Sequence, residues 1–357
     1  MHRSGTSAVA AALEALGLDV GAPDARMAAD AANPAGYFEL QEIGDLNDEI
    51  LDALGGGWDC PPPLTEGWEL DPTMTPYFRR AAAIVGTQLS KSGWVVKDPR
   101  ISVLLPLWRR AVLDRCAAVL IVRDPMEVAW SMALRNGMPI LTGLALWADY
   151  NRRALGGLSG LPVHVCAYGD LVSDPVTSLT AISASLSSWN ELPAATDIAV
   201  AAALVKPELR RNTWPRDNAD AIEVPGEIER LVKFLADLDG AHSSFDVGQP
   251  PASPWEHAVL AERRSGVLRL RTELQMHDEA ARAREAVADT VRAELEHRLT
   301  RVQDDLAEVQ GRRREAERAL RAATHRLDSL DRRLPMRIAR ALRLRRPPST
   351  PSPTDPD

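Results

Sequence analysis

A chain of 357 residues is long enough for one large domain or two smaller ones, and 45% apolar with 26% charged residues is the composition of a globular protein. The formal net charge of −8 excludes a surface that is basic throughout, as in a general nucleic-acid binder, so an anionic ligand needs a local basic pocket. Three scattered cysteines exclude a disulfide framework, and the lack of an apolar run of about 20 residues disfavours secretion and membrane insertion, so we expect a cytoplasmic protein.

The chain opens with the motif MHRSGTS at residues 1–7, which runs into a helix rich in Ala and Leu that is expected to end near Gly17. A turn of small residues at a helix N-terminus is typical of an anion site, because backbone N–H groups, hydroxyls and the helix dipole point at the ligand. Arg3 adds a cation. The turn is not an ATPase P-loop, since no Gly-Lys-Ser/Thr closes it. A plain helix cap is an equally good interpretation of these residues.

An anion loop of this kind is normally presented by a preceding strand, and only Met1 precedes His2. We therefore expect a strand of about five to six residues upstream of Met1. Without that strand, the central sheet is expected to be compromised.

Three short apolar runs, each followed by a polar turn and a helical pattern, predict buried parallel strands. They lie at residues 94–96, 117–122 and 162–166. This alternation predicts an α/β fold, a P-loop-like doubly wound parallel sheet with helices on both faces. In such folds, ligands bind beyond the carboxyl ends of the strands.

Charged residues recur in the turns where chemistry is expected. Any one of them could belong to an ordinary surface turn, but their joint occurrence favours a binding site for anionic groups. The candidates are Lys97, Asp98 and Arg100 after the first run, Arg123 and Ser131 after the second, and Arg210 and Arg211 in a later loop.

The chain carries HRSGTS, NPAGYFE, VVKDPRISVLLPLW and VLIVRDPMEVAWSMALRNGM in this order, with LALWADYNRRAL after the last. This series, spanning residues 1–216, resembles the sulfotransferase family that uses 3′-phosphoadenosine 5′-phosphosulfate. The resemblance implies that the 5′-phosphosulfate lies on a loop made of Arg3, Ser4, Gly5, Thr6 and Ser7. It also implies that Arg123 and Ser131 hold the 3′-phosphate and that Arg210 and Arg211 fold over the nucleotide. Arg3 stands where many members have Lys, and the Gly-rich pattern of the late loop is absent.

Sulfuryl transfer needs donors that stabilise the leaving phosphate and a base for the acceptor hydroxyl. Arg3 fits the first task. Many family members have a Lys-x-His pattern where this chain reads Lys97-Asp98-Pro99, so a His base is missing. Glu39 is the first candidate for the base and Asp98 the second; the alternatives are a solvated loop carboxylate for Glu39 and an ion pair with Lys97 or Arg100 for Asp98. The acceptor, a carbohydrate or another small molecule, is not specified.

No aromatic residue follows Trp255, and no proline lies between Pro254 and Pro335 in a stretch rich in Ala, Leu, Glu and Arg. This composition predicts one long helix. From Leu299 the apolar residues step by three and four, interrupted only at Arg313, which favours a coiled coil over a solvated single helix. The seam consists of Leu299, Val302, Leu306, Val309, Ala316, Leu320, Ala323, Leu327, Leu330 and Leu334. We expect an α/β domain at 1–255, a coiled coil at 256–334, and a basic, then disordered tail at 335–357.

Two functions from different classes fit these features. The first is a sulfotransferase that the coiled coil makes a homo-oligomer or docks to a partner protein. The second is a degenerate nucleotide-binding domain retained for its coiled coil. A small-molecule kinase fits less well, because no phosphate-binding Lys stands at its expected place. The sequence predicts neither a nucleic-acid partner nor a metal ion. The basic tail could contact a membrane, but a solvated helix end is the favoured interpretation of that segment.

Overall fold

The computed structural model describes residues 1–29, 36–88, 93–113, 115–189, 197–206, 223–248 and 250–331. The described chain is mostly helical, with a small three-stranded sheet and a long C-terminal helix. Arg210, Arg211, the first part of the NPAGYFE motif and the tail from residue 332 lie outside the described residues.

Loops of varied length join the helices of the described chain. Their bounds are α1 (Thr6–Ala15), α2 (Gln41–Ala53), α3 (Thr75–Gln88), α4 (Ile101–Ala111), α5 (Pro125–Asn136), α6 (Ile140–Gly157), α7 (Tyr168–Ser173), α8 (Pro175–Ser188), α9 (Ile198–Ala202), α10 (Gly226–Ala236) and α11 (Pro254–Asp331). Short 3₁₀ turns lie at Pro23–Ala25, Trp68–Leu70 and Pro72–Met74.

The sheet consists of β1 (Ala118–Val122), β2 (Val163–Ala167) and β3 (Gly240–His242). The middle strand, β2, runs parallel to β1 and antiparallel to β3. The strands predicted at 117–122 and 162–166 are thus confirmed. Their carboxyl ends lie side by side, because the register of the parallel pair sets Val122 opposite Ala167.

Two features of the sheet differ from the sequence prediction. The sheet is mixed rather than all parallel, because β3 joins its edge in the opposite direction. The run at 94–96 does not form a strand ladder, and Trp94 makes only an isolated parallel bridge to Asp19. A ladder requires pairing over successive residues, and within the described chain this segment has a partner on one side only.

Alternate residues of the strands belong to two different hydrophobic clusters. Val163 and Val165 join the larger cluster, with helices α2 to α6 and α10. Ile121 and Cys166 join the smaller cluster, with helices α1, α7, α8 and α9. Since successive side chains of a strand point to opposite faces, the two clusters cover the two faces of the sheet.

Helix α1 begins and ends at glycines in the left-handed conformation. Gly5 precedes its first residue with a φ of 86°, and Gly17 follows its end with a φ of 96°. The Leu18 N–H donates to the Leu13 carbonyl over 3.1 Å, as in a glycine-terminated helix. The end predicted near Gly17 is confirmed, and the Gly5 turn fixes where the helix N-terminus points.

The chain divides into two compact units, residues 1–271 and 272–357. In the first, a buried ion pair between Arg152 and Glu256 holds the first turn of α11, and Arg263 pairs with Asp59. In the second, α11 continues to Asp331 as one unbroken helix, which fits a coiled coil. No helix in the described part of the chain is both long enough and apolar enough to cross a membrane.

Candidate functional site

Residues 1–5 form a tight turn at the N-terminus of α1. Arg3 has a φ of 63° and Gly5 a φ of 86°, so both lie in the left-handed region. This conformation costs energy for a residue with a side chain, and strain of this kind concentrates at functional sites. Ser4 is buried inside the turn, and Thr6 opens the helix. The first backbone N–H groups of α1 can therefore donate hydrogen bonds to an anion bound at this turn.

The ring of Tyr168 packs directly against Gly5. A Cβ atom at Gly5 would lie 2.1 Å from Cε2 of that ring, which is closer than real Cβ contacts. Tyr168 follows β2 immediately and also lies under the guanidinium of Arg123, whose Cζ is 4.9 Å from the ring centroid. One aromatic ring therefore supports both the loop and a cation of the site.

Gly5→Ala is expected to lower the free energy of unfolding by about 1–3 kcal/mol more than Gly160→Ala does, because of overpacking against the Tyr168 ring. Gly160 is a matched control, since its φ of 80° imposes the same left-handed strain while its surroundings leave open space for a Cβ. Urea unfolding of the two variants measures the difference. Equal losses of stability would mean that the Tyr168 ring moves aside without cost.

Arg3, Arg123, Glu127 and Ser131 form an arginine–serine cluster on one side of the turn. Nε of Arg3 donates to Oγ of Ser131 over 2.9 Å. Nη1 of Arg123 donates to the Arg3 carbonyl over 2.9 Å, and its Nε donates to Glu127 over 3.0 Å. All these side chains are buried or half-buried. Residues that stand more than a hundred positions apart in sequence thus meet at the loop that the sequence analysis singled out.

Ser7, Glu39, Lys97, Asp98 and Arg100 form a lysine–glutamate cluster at the other end of the same loop. Nζ of Lys97 donates to Oγ of Ser7 over 3.1 Å and forms an ion pair with Glu39. The Asp98 carboxylate accepts from the Arg100 side chain, at 2.9 Å from Nε and 2.7 Å from Nη2, and from the Arg100 backbone N–H at 2.8 Å. Lys97 and Glu39 are therefore held against the loop, while Asp98 is engaged by Arg100.

Burial shifts the protonation equilibria of this cluster. Removal from water raises the pKa of Glu39, and the neighbouring Lys97 opposes the rise. Burial likewise lowers the pKa of Lys97, against the effect of Glu39. For Arg100, burial is outweighed by the hydrogen bonds that its guanidinium donates to Asp98 and Asp48, which raise its pKa. Within this cluster, burial raises the pKa of the Glu39 carboxyl, which is the direction that favours general-base catalysis near neutral pH.

His2 is enclosed by aromatic rings. Its ring centroid lies 4.8 Å from that of Trp58 and 5.9 Å from that of Tyr150. Burial lowers the pKa of His2 well below its usual value. The imidazole is therefore neutral at pH 7, and its packing fixes the start of the loop.

The structure adds residues that the sequence analysis did not select. Nη2 of Arg135 donates to the Tyr37 hydroxyl over 2.9 Å, and the Tyr37 carbonyl accepts from Oγ of Ser7 over 3.2 Å. Glu127 is the buried partner of Arg123, four residues further along α5. The i,i+4 spacing in the sequence was a signal for Glu127, whereas nothing local pointed to Arg135.

The arrangement can hold an anionic ligand along the loop, with cations at both of its ends. Arg3 and Arg123 lie at one end and Lys97 at the other, and the helix N-terminus lies between them. Within the described residues, no group of three or more His, Cys, Asp or Glu side chains is placed to hold a metal ion. Comparison of the chain with models of protein families, with curated proteins and with solved structures gives no match.

Proposed function

We propose that this protein is a sulfotransferase that moves a sulfuryl group from 3′-phosphoadenosine 5′-phosphosulfate to a hydroxyl of a carbohydrate or another small molecule. The observation that carries the proposal is the arginine–serine cluster. Arg3 donates to Ser131, and Arg123 donates to the Arg3 carbonyl. One residue that the family resemblance assigns to the 5′-phosphosulfate thus contacts both residues that it assigns to the 3′-phosphate.

The topology around the loop supports the finer fold assignment, a P-loop-like doubly wound sheet. Arg123 follows β1 and Tyr168 follows β2, so both lie at the carboxyl end of the parallel pair. Lys97 closes a third extended segment and contacts the loop through Ser7. Ligands of doubly wound folds bind at this end of the strands.

The proposed reaction is an in-line displacement at sulfur. The acceptor oxygen forms a bond to sulfur while the bond between sulfur and the 5′-phosphate oxygen breaks, and 3′,5′-bisphosphoadenosine leaves. Negative charge grows on the leaving oxygen, where Arg3, Lys97 and the loop N–H groups can stabilise it. Glu39 takes the proton of the acceptor hydroxyl, since it is buried beside Lys97 and its pKa is raised by burial.

Titration with 3′,5′-bisphosphoadenosine tests the proposed donor site. We expect saturable binding that Arg123→Ala weakens by about 10–150-fold, the contribution of a hydrogen bond to a charged group. Arg123→Lys is also expected to weaken binding, because an ammonium cannot supply the planar fork of a guanidinium. Calorimetry of the three proteins gives the dissociation constants.

Arg230→Ala is a matched control, since this arginine is 74% exposed and lies on α10. It should leave the dissociation constant unchanged, and so should a chelator. Absence of saturable binding would favour the degenerate nucleotide-binding domain over the sulfotransferase. Binding of ATP that depends on Mg²⁺ would favour the kinase.

We also propose that α11 makes the protein a homo-oligomer through its coiled-coil seam. The seam residues Leu306 and Leu320 are 55% and 68% exposed on the single helix, and burial of such a stripe drives helix pairing. Arg312 and Glu317 flank the seam five residues apart, which brings opposite charges together across a parallel pair of identical helices.

Leu320→Lys is expected to shift the protein from oligomer to monomer, because it places a charge in the seam. Ala322→Lys adds the same charge two residues away, off the seam, and should leave the oligomer intact. Sedimentation velocity of the full chain measures both. Monomeric behaviour of the unsubstituted protein would remove the coiled-coil proposal.

A further inference from the structure

A cavity of about 290 Å³ lies between β1 and the extended segment at residues 94–98. These two stretches form its sides. Helix α1 lines it from one face, and α4 with α6 from the other. Its apolar lining includes Val9 and Leu13 of α1, Leu105 and Trp108 of α4, Ala154 of α6 and Leu158 directly after that helix. We call this space the strand slot.

The backbone edges of β1 and of residues 94–98 that face the slot have no hydrogen-bond partner within the described chain. The Ala118 N–H donates toward β2, to the Pro162 carbonyl, so the N–H groups of Val119 and Ile121 point to the other side of β1. The Val95 N–H donates to the Asp19 carbonyl over 2.8 Å, so the Val96 N–H points the other way. The described residues make no backbone hydrogen bond across the slot.

The slot-side strand is also less buried than its neighbour. Four of the five β1 residues are half-buried, whereas four of the five β2 residues are fully buried. The β1 sequence, Ala-Val-Leu-Ile-Val, contains no charge or proline of the kind that protects a natural sheet edge. Such a run is typical of an interior strand with neighbours on both sides.

The two sides of the slot run in the same direction. Lys97 near the end of one side contacts Ser7, and Arg123 after the other side contacts the Arg3 carbonyl, so both carboxyl ends meet the loop at residues 3–7. Met1 lines the slot at this same end and is 7% exposed.

We propose that the strand slot receives an extended, apolar β-strand of about five to six residues that is joined to Met1 and runs parallel to both sides of the slot. The strand completes the sheet by accepting bonds from Val96, Val119 and Ile121. It leads directly into the loop at residues 2–5, so it anchors the start of the anion-binding turn. The inference depends on the slot and not on which ligand the loop binds.

The test is a designed extension before Met1, consisting of about five alternating Val and Ile residues followed by one Gly. The matched control has the same length but Pro at its second and fourth positions, since Pro cannot donate to a strand ladder. Both extensions move the terminal charge away from the slot equally. We expect amide hydrogen exchange at Val96, Val119 and Ile121 to be about tenfold slower or more with the strand-forming extension than with the control. Exchange at Val95, already bonded to Asp19, should differ less, and the melting temperature should rise.

Equal exchange rates at these three amides in the two proteins would overturn the proposal. A second arm adds the same strand as a free peptide to the unextended chain. A strand joined to Met1 has an effective concentration in the millimolar range, so micromolar free peptide should give little protection. Equal protection by the free peptide at micromolar concentration would assign the slot to a separate chain and overturn the covalent connection.

Discussion

If the proposed sulfuryl transfer takes place, replacing Glu39 with Gln is expected to lower its rate by about 10²–10⁴-fold, the contribution of a positioned general base. Gln keeps the size of the side chain and can still contact Lys97, but it cannot take a proton from the acceptor hydroxyl. The measurement is the initial rate at which labelled sulfate passes from the donor to a panel of phenols and sugars. Lys97 and Ser7 should hold the loop in both proteins, so donor binding should change far less than the rate.

The pH dependence of the same reaction gives a second signature. Burial raises the pKa of Glu39 above its ordinary 4.5, and Lys97 opposes that rise. A base acts in its ionised form, so the rate should increase with pH as Glu39 loses its proton, at higher pH than for an exposed carboxyl. The Glu39→Gln variant should lack this limb of the profile.

Asp98→Asn and Glu49→Gln are the comparison variants. The Asp98 side chain is fully buried against Arg100. Asp98→Asn therefore removes a negative charge that balances the buried guanidinium of Arg100, so it should lower the free energy of unfolding rather than remove a base. Glu49 is half exposed in a surface pair with Arg80, and its loss should change neither property. Small, equal losses of rate in Glu39→Gln and Asp98→Asn would contradict the assignment of Glu39 as the base.

Local signals in the sequence were sufficient for several elements of the site. Pro125 suits the first turn of a helix, and in the structure it is the first residue of α5, where the Asp124 carboxylate accepts from the Glu127 N–H over 3.0 Å. Ser131 stands six residues after Pro125, a little under two turns along the helix. These features depend on neighbours within one or two turns, which is why the sequence predicts them.

Other features depend on contacts between distant parts of the chain. Tyr168 follows a predicted strand, but only the fold brings its ring onto Gly5. Arg135 and Tyr37 are 98 residues apart, and no local pattern pairs them. The segment at 94–96 has the composition of a strand. A strand ladder also requires hydrogen bonds to a second strand over several residues, and the composition of one segment does not predict whether such a strand lies beside it. The third strand, Gly240–His242, has no β-branched residue to mark it.

Replacing Arg3 with Ala is expected to lower the transfer rate by about 10²–10³-fold, the usual loss on removal of one donor that stabilises developing charge. Arg3 lies at the loop, and its Nε donates to Oγ of Ser131 over 2.9 Å. Its φ of 63° strains any residue with a side chain, so Arg3→Gly serves as a second variant that removes the guanidinium without that strain. Both variants should lose activity equally if the guanidinium, and not the backbone, is responsible.

Arg3→Lys separates the charge from the hydrogen bond. Lys keeps a positive charge at the loop, as in many sulfotransferases. Its single ammonium group, however, cannot donate to Ser131 through one nitrogen and contact a phosphate through another, as a guanidinium can. The rate should therefore fall less than in Arg3→Ala. Ser131→Ala should cost activity in the unsubstituted protein and little more in the Arg3→Lys background, because the two changes break one interaction. Full activity of Arg3→Gly, or equal costs of Ser131→Ala in both backgrounds, would mean that the contact between Arg3 and Ser131 does not act in sulfuryl transfer.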